Sequence, residues 1–215
     1  MNQAEFSEEY LGYIMDSDKQ AVFNLVKNEL ENGVPVEKVY QGIEEAMYEV
    51  GRKWHKNEIS IAHEHLATAI TQWVLMTAFP QLIHDYASEQ PNKKVMSFTV
   101  AGNNHDLGIK MVNDILENKG FSVTYLGTNL PIKGALEFIK AHGPDYILIS
   151  VALPVNVPYA KEATQIIRET EGLKSVKIIV GGYCFKQFPD LLDKMNYDYY
   201  ASDLDEFIEL ADKLG

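Results

Sequence analysis

The sequence predicts a two-part fold: an all-α four-helix bundle, then an α/β domain built on a five-stranded parallel sheet. Three observations predict it. Through about Ser88, apolar residues recur only at helical spacing. From about Lys93, short apolar runs rich in β-branched and aromatic residues alternate with amphipathic stretches. Between the two lies Ser88-Glu89-Gln90-Pro91-Asn92-Lys93, polar and interrupted by proline. The expected boundaries are therefore 1–88 for the bundle, 89–93 for the linker and 94–215 for the sheet domain.

In the first half, Tyr10, Tyr13 and Ile14 mark a short first helix. Asp16-Ser17-Asp18 supplies a cap for the second, which carries Val22, Leu25, Val26 and Leu30 on one stripe and stops at Asn32-Gly33. Pro35 opens a third helix through Val39, Ile43, Met47 and Val50. Ser60 caps a long fourth through Leu66, Ile70, Trp73, Val74 and Phe79, with a bend expected at Pro80. Four helices with short connections make a bundle.

In the second half the strand-like runs are 95–101, 121–127, 146–153, 176–180 and 197–201. The helical stretches are 107–119, 132–142, 157–171, 185–195 and 203–214. Repeated βα units of this size imply an open, doubly wound sheet of the flavodoxin-like, Rossmann type.

The bulk numbers exclude several function classes. A chain of 215 residues with 46% hydrophobic content reads as soluble and globular, with a full core. The net charge of −12 argues against direct binding to nucleic acid, which needs a basic face, and against anionic membrane surfaces. No stretch has the unbroken apolar length of a membrane span, and the amino terminus has no signal-peptide pattern. The single cysteine, Cys184, excludes an internal disulfide and fits a cytoplasmic location; Tyr183 and Phe185 beside it suggest a packed thiol.

The loops that follow strands are where an open α/β sheet binds its ligands. After the first strand comes Asn103-Asn104-His105-Asp106-Leu107-Gly108. After the third comes Ser150-Val151-Ala152-Leu153-Pro154, and after the fourth Gly181-Gly182-Tyr183. His105 offers the commonest neutral metal-ligating nitrogen. Gly108 admits close approach of a ligand or an unhindered helix start, and Gly181-Gly182 leaves the backbone bare or simply makes a tight turn. The spacing is not that of a dinucleotide-binding or P-loop turn.

Together these loops resemble the cobalamin-binding fold, whose signature is D/E-x-H-x-x-G, then S-x-L or S-x-x-L, then G-G. Here the matching residues are Asn103, His105 and Gly108, Ser150 and Leu153, and Gly181-Gly182. The resemblance implies that His105 ligates cobalt from below. The nucleotide tail of the corrinoid then threads between the first strand, the serine loop and the glycine pair, where Asp106, Leu107 and Tyr183 also border it. One departure stands out. Asn103 replaces an acid that, in methyl carriers of this fold, orients the histidine and shares its proton; an amide accepts a hydrogen bond but exchanges no proton.

In the bundle, Trp54 is followed after nine residues by Glu64-His65. Taken singly these read as core filler and a solvated face. As a set they resemble the helical cap of light-sensing adenosylcobalamin repressors of the CarH type. That resemblance implies Trp54 and Glu64 against the upper adenosyl group, and His65 as the upper cobalt ligand once light removes it.

The expectation is a cobalamin-dependent light sensor, a switch and not a catalyst. Its cofactor would be adenosylcobalamin, with methylcobalamin or hydroxocobalamin as other forms. Its output would pass to a regulator or kinase, or through self-association. Two alternatives share the fold: a corrinoid methyl carrier of a methyltransferase system, and a haem- or aquocobalamin-binding regulator.

Overall fold

The computed structural model describes residues 1–79, 93–193 and 195–214. The chain divides into two compact units, Met1–Asp85 and Tyr86–Gly215. Most of the expected linker and the bend at Pro80 lie outside the described residues.

The first unit contains α1 (Gln3–Met15), α2 (Lys19–Glu31), α3 (Val36–His55) and α4 (Ile61–Thr77). Its helix ends follow the local chemistry. Asn2 accepts the Glu5 N–H, and the Glu5 carboxylate accepts the Asn2 N–H, a reciprocal cap on α1. Asp18 caps α2 by accepting from Ala21 N–H at 2.9 Å. Pro35 takes the cap position of α3, where its missing N–H costs nothing.

Tyr10, Ile14, Val22, Val26, Val39, Tyr40, Ile43 and Val74 are buried between these helices. α1 and α3 approach closely at Gly42, where a Cβ would stand 2.4 Å from the Phe6 ring. The Tyr10 hydroxyl, buried with them, donates to Thr71 Oγ1 at 3.1 Å, which meets the rule that an interior hydroxyl needs a partner.

The second unit is a five-stranded parallel sheet in the order β2-β1-β3-β4-β5. Its strands are β1 (Lys94–Thr99), β2 (Ser122–Tyr125), β3 (Tyr146–Ser150), β4 (Lys177–Gly181) and β5 (Tyr199–Ala201). The helices are α5 (Leu107–Asn118), α6 (Ile132–His142), α7 (Val157–Glu169), α8 (Tyr183–Gln187) and α9 (Leu204–Leu214). Strand side chains alternate between faces. Met96, Phe98, Ile147, Ile149, Ile178 and Val180 bury one face together with Ile132, Ile139, Ala160, Ala163 and Ile167 of α6 and α7. The opposite face carries Ser97, Thr99, Leu148, Ser150, Ile179 and Gly181, which stand in register across β1, β3 and β4.

One expected element differs. The helical stretch 185–195 is a five-residue helix followed by a 3-10 turn, Pro189–Leu192. Pro189 has no N–H for the ladder and its ring crowds the preceding turn. The run 146–153 also shortens: β3 ends at Ser150, and Pro154–Asn156 form a 3-10 turn leading into α7. The strand order is the flavodoxin-like one. It brings the ends of β1 and β3 side by side, at the point where the chain reverses its direction of travel across the sheet.

Candidate functional site

The loop after β1 is built around a buried amide. Asn103 is fully buried, whereas Gly102, Asn104 and His105 are exposed. Asn103 Nδ2 donates to the Ser150 carbonyl at 3.1 Å. Its Oδ1 accepts the His105 backbone N–H at 3.1 Å and stands 3.2 Å from His105 Nδ1.

Two backbone groups therefore decide which way the amide points, since a carbonyl needs the nitrogen and an N–H needs the oxygen. With the oxygen facing His105, the ring contact requires a proton on Nδ1. In the neutral ring the lone pair then lies on Nε2, on an exposed side chain. That is how an outer partner orients a metal-ligating histidine.

A second loop braces this one. Asn129, between β2 and α6, accepts the Gly102 N–H on Oδ1 at 2.6 Å. Its own N–H reaches the Asn103 carbonyl at 3.0 Å and Thr99 Oγ1 at 3.1 Å. The Thr99 hydroxyl donates to the same Asn103 carbonyl at 2.5 Å.

On the β3 side, Leu153, Val155 and Tyr159 are exposed apolar side chains. Tyr159 and Asn156 flank Gly102: a Cβ there would lie 3.8 Å from the Tyr159 ring and 3.0 Å from Asn156 Nδ2. Tyr159 and Asn156 thus stand against the loop that carries the exposed His105 imidazole.

The glycines divide by role. A Cβ on Gly182 would stand 2.4 Å from the Val151 carbonyl, and φ there is +116°. One on Gly181 would stand 2.8 Å from the Ala201 carbonyl. The pair is thus required by close backbone packing of β3, β4 and β5. A Cβ on Gly108, in the first turn of α5, meets nothing within 4 Å.

Asp106 takes the cap position of α5 without a capping bond and pairs with Lys110 Nζ at 2.7 Å. Burial, and then the nearby Asp106 carboxylate, push the Tyr125 hydroxyl well above the usual phenol range. Tyr183 opens α8, and its hydroxyl accepts from Gln187. Leu107 is half-buried in the first turn of α5.

A bound group has further potential contacts. Ser97 Oγ, Asn113 Oδ1 and Asn156 Oδ1 are buried with no hydrogen-bond partner among the described residues. Such atoms are costly in a finished interior. All three belong to β1, to α5 or to the loop between β3 and α7, the segments that surround the His105 loop. The donor set, the exposed imidazole and these unfilled polar atoms fit a corrinoid held through its cobalt.

In the first unit, Trp54 is exposed near the end of α3 and His65 is exposed on α4. His65 Nδ1 lies 2.5 Å from Glu64 Oε2, and Glu64 Oε1 accepts from Thr68 at 3.0 Å. His63 is spent on its own helix: its Nδ1 accepts the Ser60 N–H at 3.2 Å. Among the described residues no group of three or more His, Cys, Asp or Glu side chains is arranged to hold a metal ion. No helix there is long and apolar enough to cross a membrane.

Two family models match, both described as B12 binding domain: one over residues 93–206, the other over residues 7–76. The first alone spans more than half of the chain.

The chain belongs to the B12-binding domain family.

Relatives in this family match it end to end. The dimethylamine corrinoid protein of Methanosarcina barkeri is 30% identical, covering 100% of this chain and 99% of that one. Dimethylamine corrinoid protein 1 of Methanosarcina acetivorans is 28% identical at the same coverage. The structure of the Methanosarcina barkeri monomethylamine corrinoid protein superposes with a TM-score of 0.82 at 21% identity, over 100% of both chains, and shares the fold.

These relatives overturn the light-sensor expectation. Proteins alike over the full B12-binding chain are named as amine corrinoid proteins, not as photoreceptors. The pattern of Trp54, Glu64 and His65 misled because each residue has a local task or exposure that needs no photochemistry. Glu64 sits in the first turn of α4, where a negative charge is favoured, and holds Thr68 and His65.

The expected regulator or kinase output falls with the sensor. The corrinoid itself stands. Sequence reading found Asn103, His105 and Ser150 but missed Thr99, Asn129, Asn156 and Tyr159. Of these Asn129, between Gly127 and Pro131, and Asn156, between Pro154 and Pro158, carried turn signals.

Proposed function

We propose that this B12-binding chain is the corrinoid-carrying component of a methyl-transfer system, shuttling a methyl group between partner methyltransferases. The observation that carries the reading is end-to-end similarity to dimethylamine corrinoid proteins, together with a histidine presented as those chemistries require. When bound, the corrinoid supplies a cobalt centre that accepts and gives up a methyl group. Everything else is the work of the chain.

His105 would hold the cobalt through Nε2. Asn103 keeps the ring in that tautomer and turned outward. Leu153, Val155 and Tyr159 would seat the macrocycle and exclude water around the imidazole. Ser150, Leu153 and the Gly181-Gly182 turn, with Leu107, Gly108 and Tyr183, would border the nucleotide end. Asp106 pairs with Lys110 beside the loop. Because Asn103 is an amide, the loop orients the ligand without storing a proton for it. Trp54, Glu64 and His65 have no photochemical role in this reading.

The amine, or other methyl donor, would be met by a partner enzyme and not by this chain. The chain has no catalytic step of its own in this reading.

The test is reconstitution. The apoprotein is loaded with hydroxocobalamin, reduced, and methylated chemically or by a methylamine methyltransferase. Tight one-to-one binding with a histidine-on spectrum, lost in His105→Gly, supports the reading. Failure to bind any corrinoid at micromolar concentration overturns it.

A further inference from the structure

Three non-glycine residues have positive φ among the described residues: Ser17, Asn57 and Asn129. Ser17 and Asn57 directly follow the caps of α1 and α3, where a left-handed residue commonly ends a helix. Asn129 does not. It lies between β2 and α6, with φ +54°, and its side chain is engaged. Asparagine tolerates this conformation because its short amide bonds to nearby backbone. Here the amide reaches instead to Gly102, itself left-handed at φ +78°.

The result is a clasp between two loops distant in sequence. Asn129 Oδ1 takes the Gly102 N–H at 2.6 Å, and Asn129 N–H reaches the Asn103 carbonyl at 3.0 Å. The neighbouring Leu130 N–H donates to the Thr99 carbonyl at 3.0 Å, and Val100 and Leu130 form an isolated parallel bridge. The segment 99–103 is thereby held on its β2 side by Asn129 and Leu130. Its β3 side is held by Asn103 Nδ2 on Ser150. His105 follows directly and takes its orientation from Asn103.

We infer that Asn129 is a positioning residue for the cobalt ligand, setting through Gly102 and Asn103 where His105 stands. This rests on the carrier reading, in which His105 binds cobalt. The left-handed backbone at 129 is what brings Oδ1 to Gly102, so side-chain and backbone roles separate by mutation. Asn129→Gly keeps the conformation and the backbone bonds while removing only the acceptor. Asn129→Asp keeps an acceptor oxygen. Since both Asn129 and Gly102 are exposed, water replaces the lost bond and the fold is retained.

The experiment loads wild-type, N129G and N129D proteins with methylcobalamin and reads the histidine-on to histidine-off ratio from visible spectra. In parallel samples loaded with hydroxocobalamin and reduced by one electron to Co(II), the nitrogen splitting from a cobalt-bound nitrogen is read by electron paramagnetic resonance, with H105G as the histidine-off reference. N129G should lower the ratio by at most about fivefold, the whole worth of one ordinary hydrogen bond, in an apoprotein that still unfolds cooperatively. N129D should restore it.

Asn129→Ser, too short to reach Gly102, should behave as N129G and serves if that variant is unstable. A wild-type ratio in N129G or N129S overturns the inference alone. A wild-type protein that binds corrinoid with no histidine on cobalt overturns the ligand assignment, and the inference with it.

Discussion

Asn103 and His105 are joined twice, with one amide oxygen accepting the backbone N–H at 3.1 Å and facing the ring Nδ1 at 3.2 Å. The same amide gives its nitrogen to the Ser150 carbonyl. Asn103→Leu removes all three contacts at nearly constant volume and takes the partner from two part-buried backbone groups. We expect a loss of about 2 kcal/mol in apoprotein stability by urea denaturation and a lower histidine-on fraction after loading. Wild-type stability would show that the amide is not holding β1 to β3.

The two glycine sites should respond in opposite directions. Gly182→Ala forces a Cβ onto the Val151 carbonyl at positive φ, and should cost about 3 kcal/mol or prevent folding. Gly108→Ala meets open space in the first turn of a helix, and should stabilise the apoprotein by about 0.5–1 kcal/mol. Melting curves of the two variants against wild type decide both.

Acid should weaken the sheet at the start of β4. Burial acts to raise the Asp198 carboxyl, but the Ile178 N–H, Lys177 and Arg168 outweigh it and hold it below the usual carboxylate range. A group depressed in the folded state contributes stability above its unfolded value, near pH 4, and loses it as pH falls through the folded one. Asp198→Asn should therefore be clearly less stable than wild type at pH 7. The gap should narrow as pH falls below the unfolded value and through the lower folded one. A gap that stays constant across this range would refute the linkage.

Cys184 is buried in the sheet core, and burial pushes its thiol up. A thiol kept protonated and covered reacts slowly. An aromatic disulfide reagent should leave the native protein unmodified over minutes and modify one thiol in denaturant. Fast reaction in the native state would contradict the packing around α8.

The carrier reading and the discarded sensor differ in response to light. The protein loaded with adenosylcobalamin in the dark should keep its sedimentation coefficient after green illumination, although the cofactor itself photolyses. A light-driven change of oligomeric state would restore the sensor.

Much of the fold was legible because periodicity is a local property. The switch from a helical period to short apolar runs near Lys93 names both units. Asp18, Pro35 and Ser60 mark helix starts that the structure contains. The stretch 185–195 failed because amphipathic spacing outweighed Pro189, whose effect on the ladder is decisive.

The site was legible where a motif concentrates it, at His105, and in the partners that follow at known distances. Asn129 was not, because parallel pairing of β1 with β2 alone brings it to Gly102. The photosensor set shows the opposite error. Spacing among Trp54, Glu64 and His65 suggested a joint purpose, whereas the contacts of Glu64 with Thr68 and His65 are those of an ordinary helix start.

The sheet order has a consequence for synthesis. The His105 loop emerges from the ribosome early, yet its floor includes Ser150, which waits for β3. The turn packed on Val151 waits for β4. A partly made chain therefore cannot finish this loop: the Ser150 carbonyl that anchors Asn103 and the Gly182 turn packed on Val151 are both made tens of residues after His105 itself.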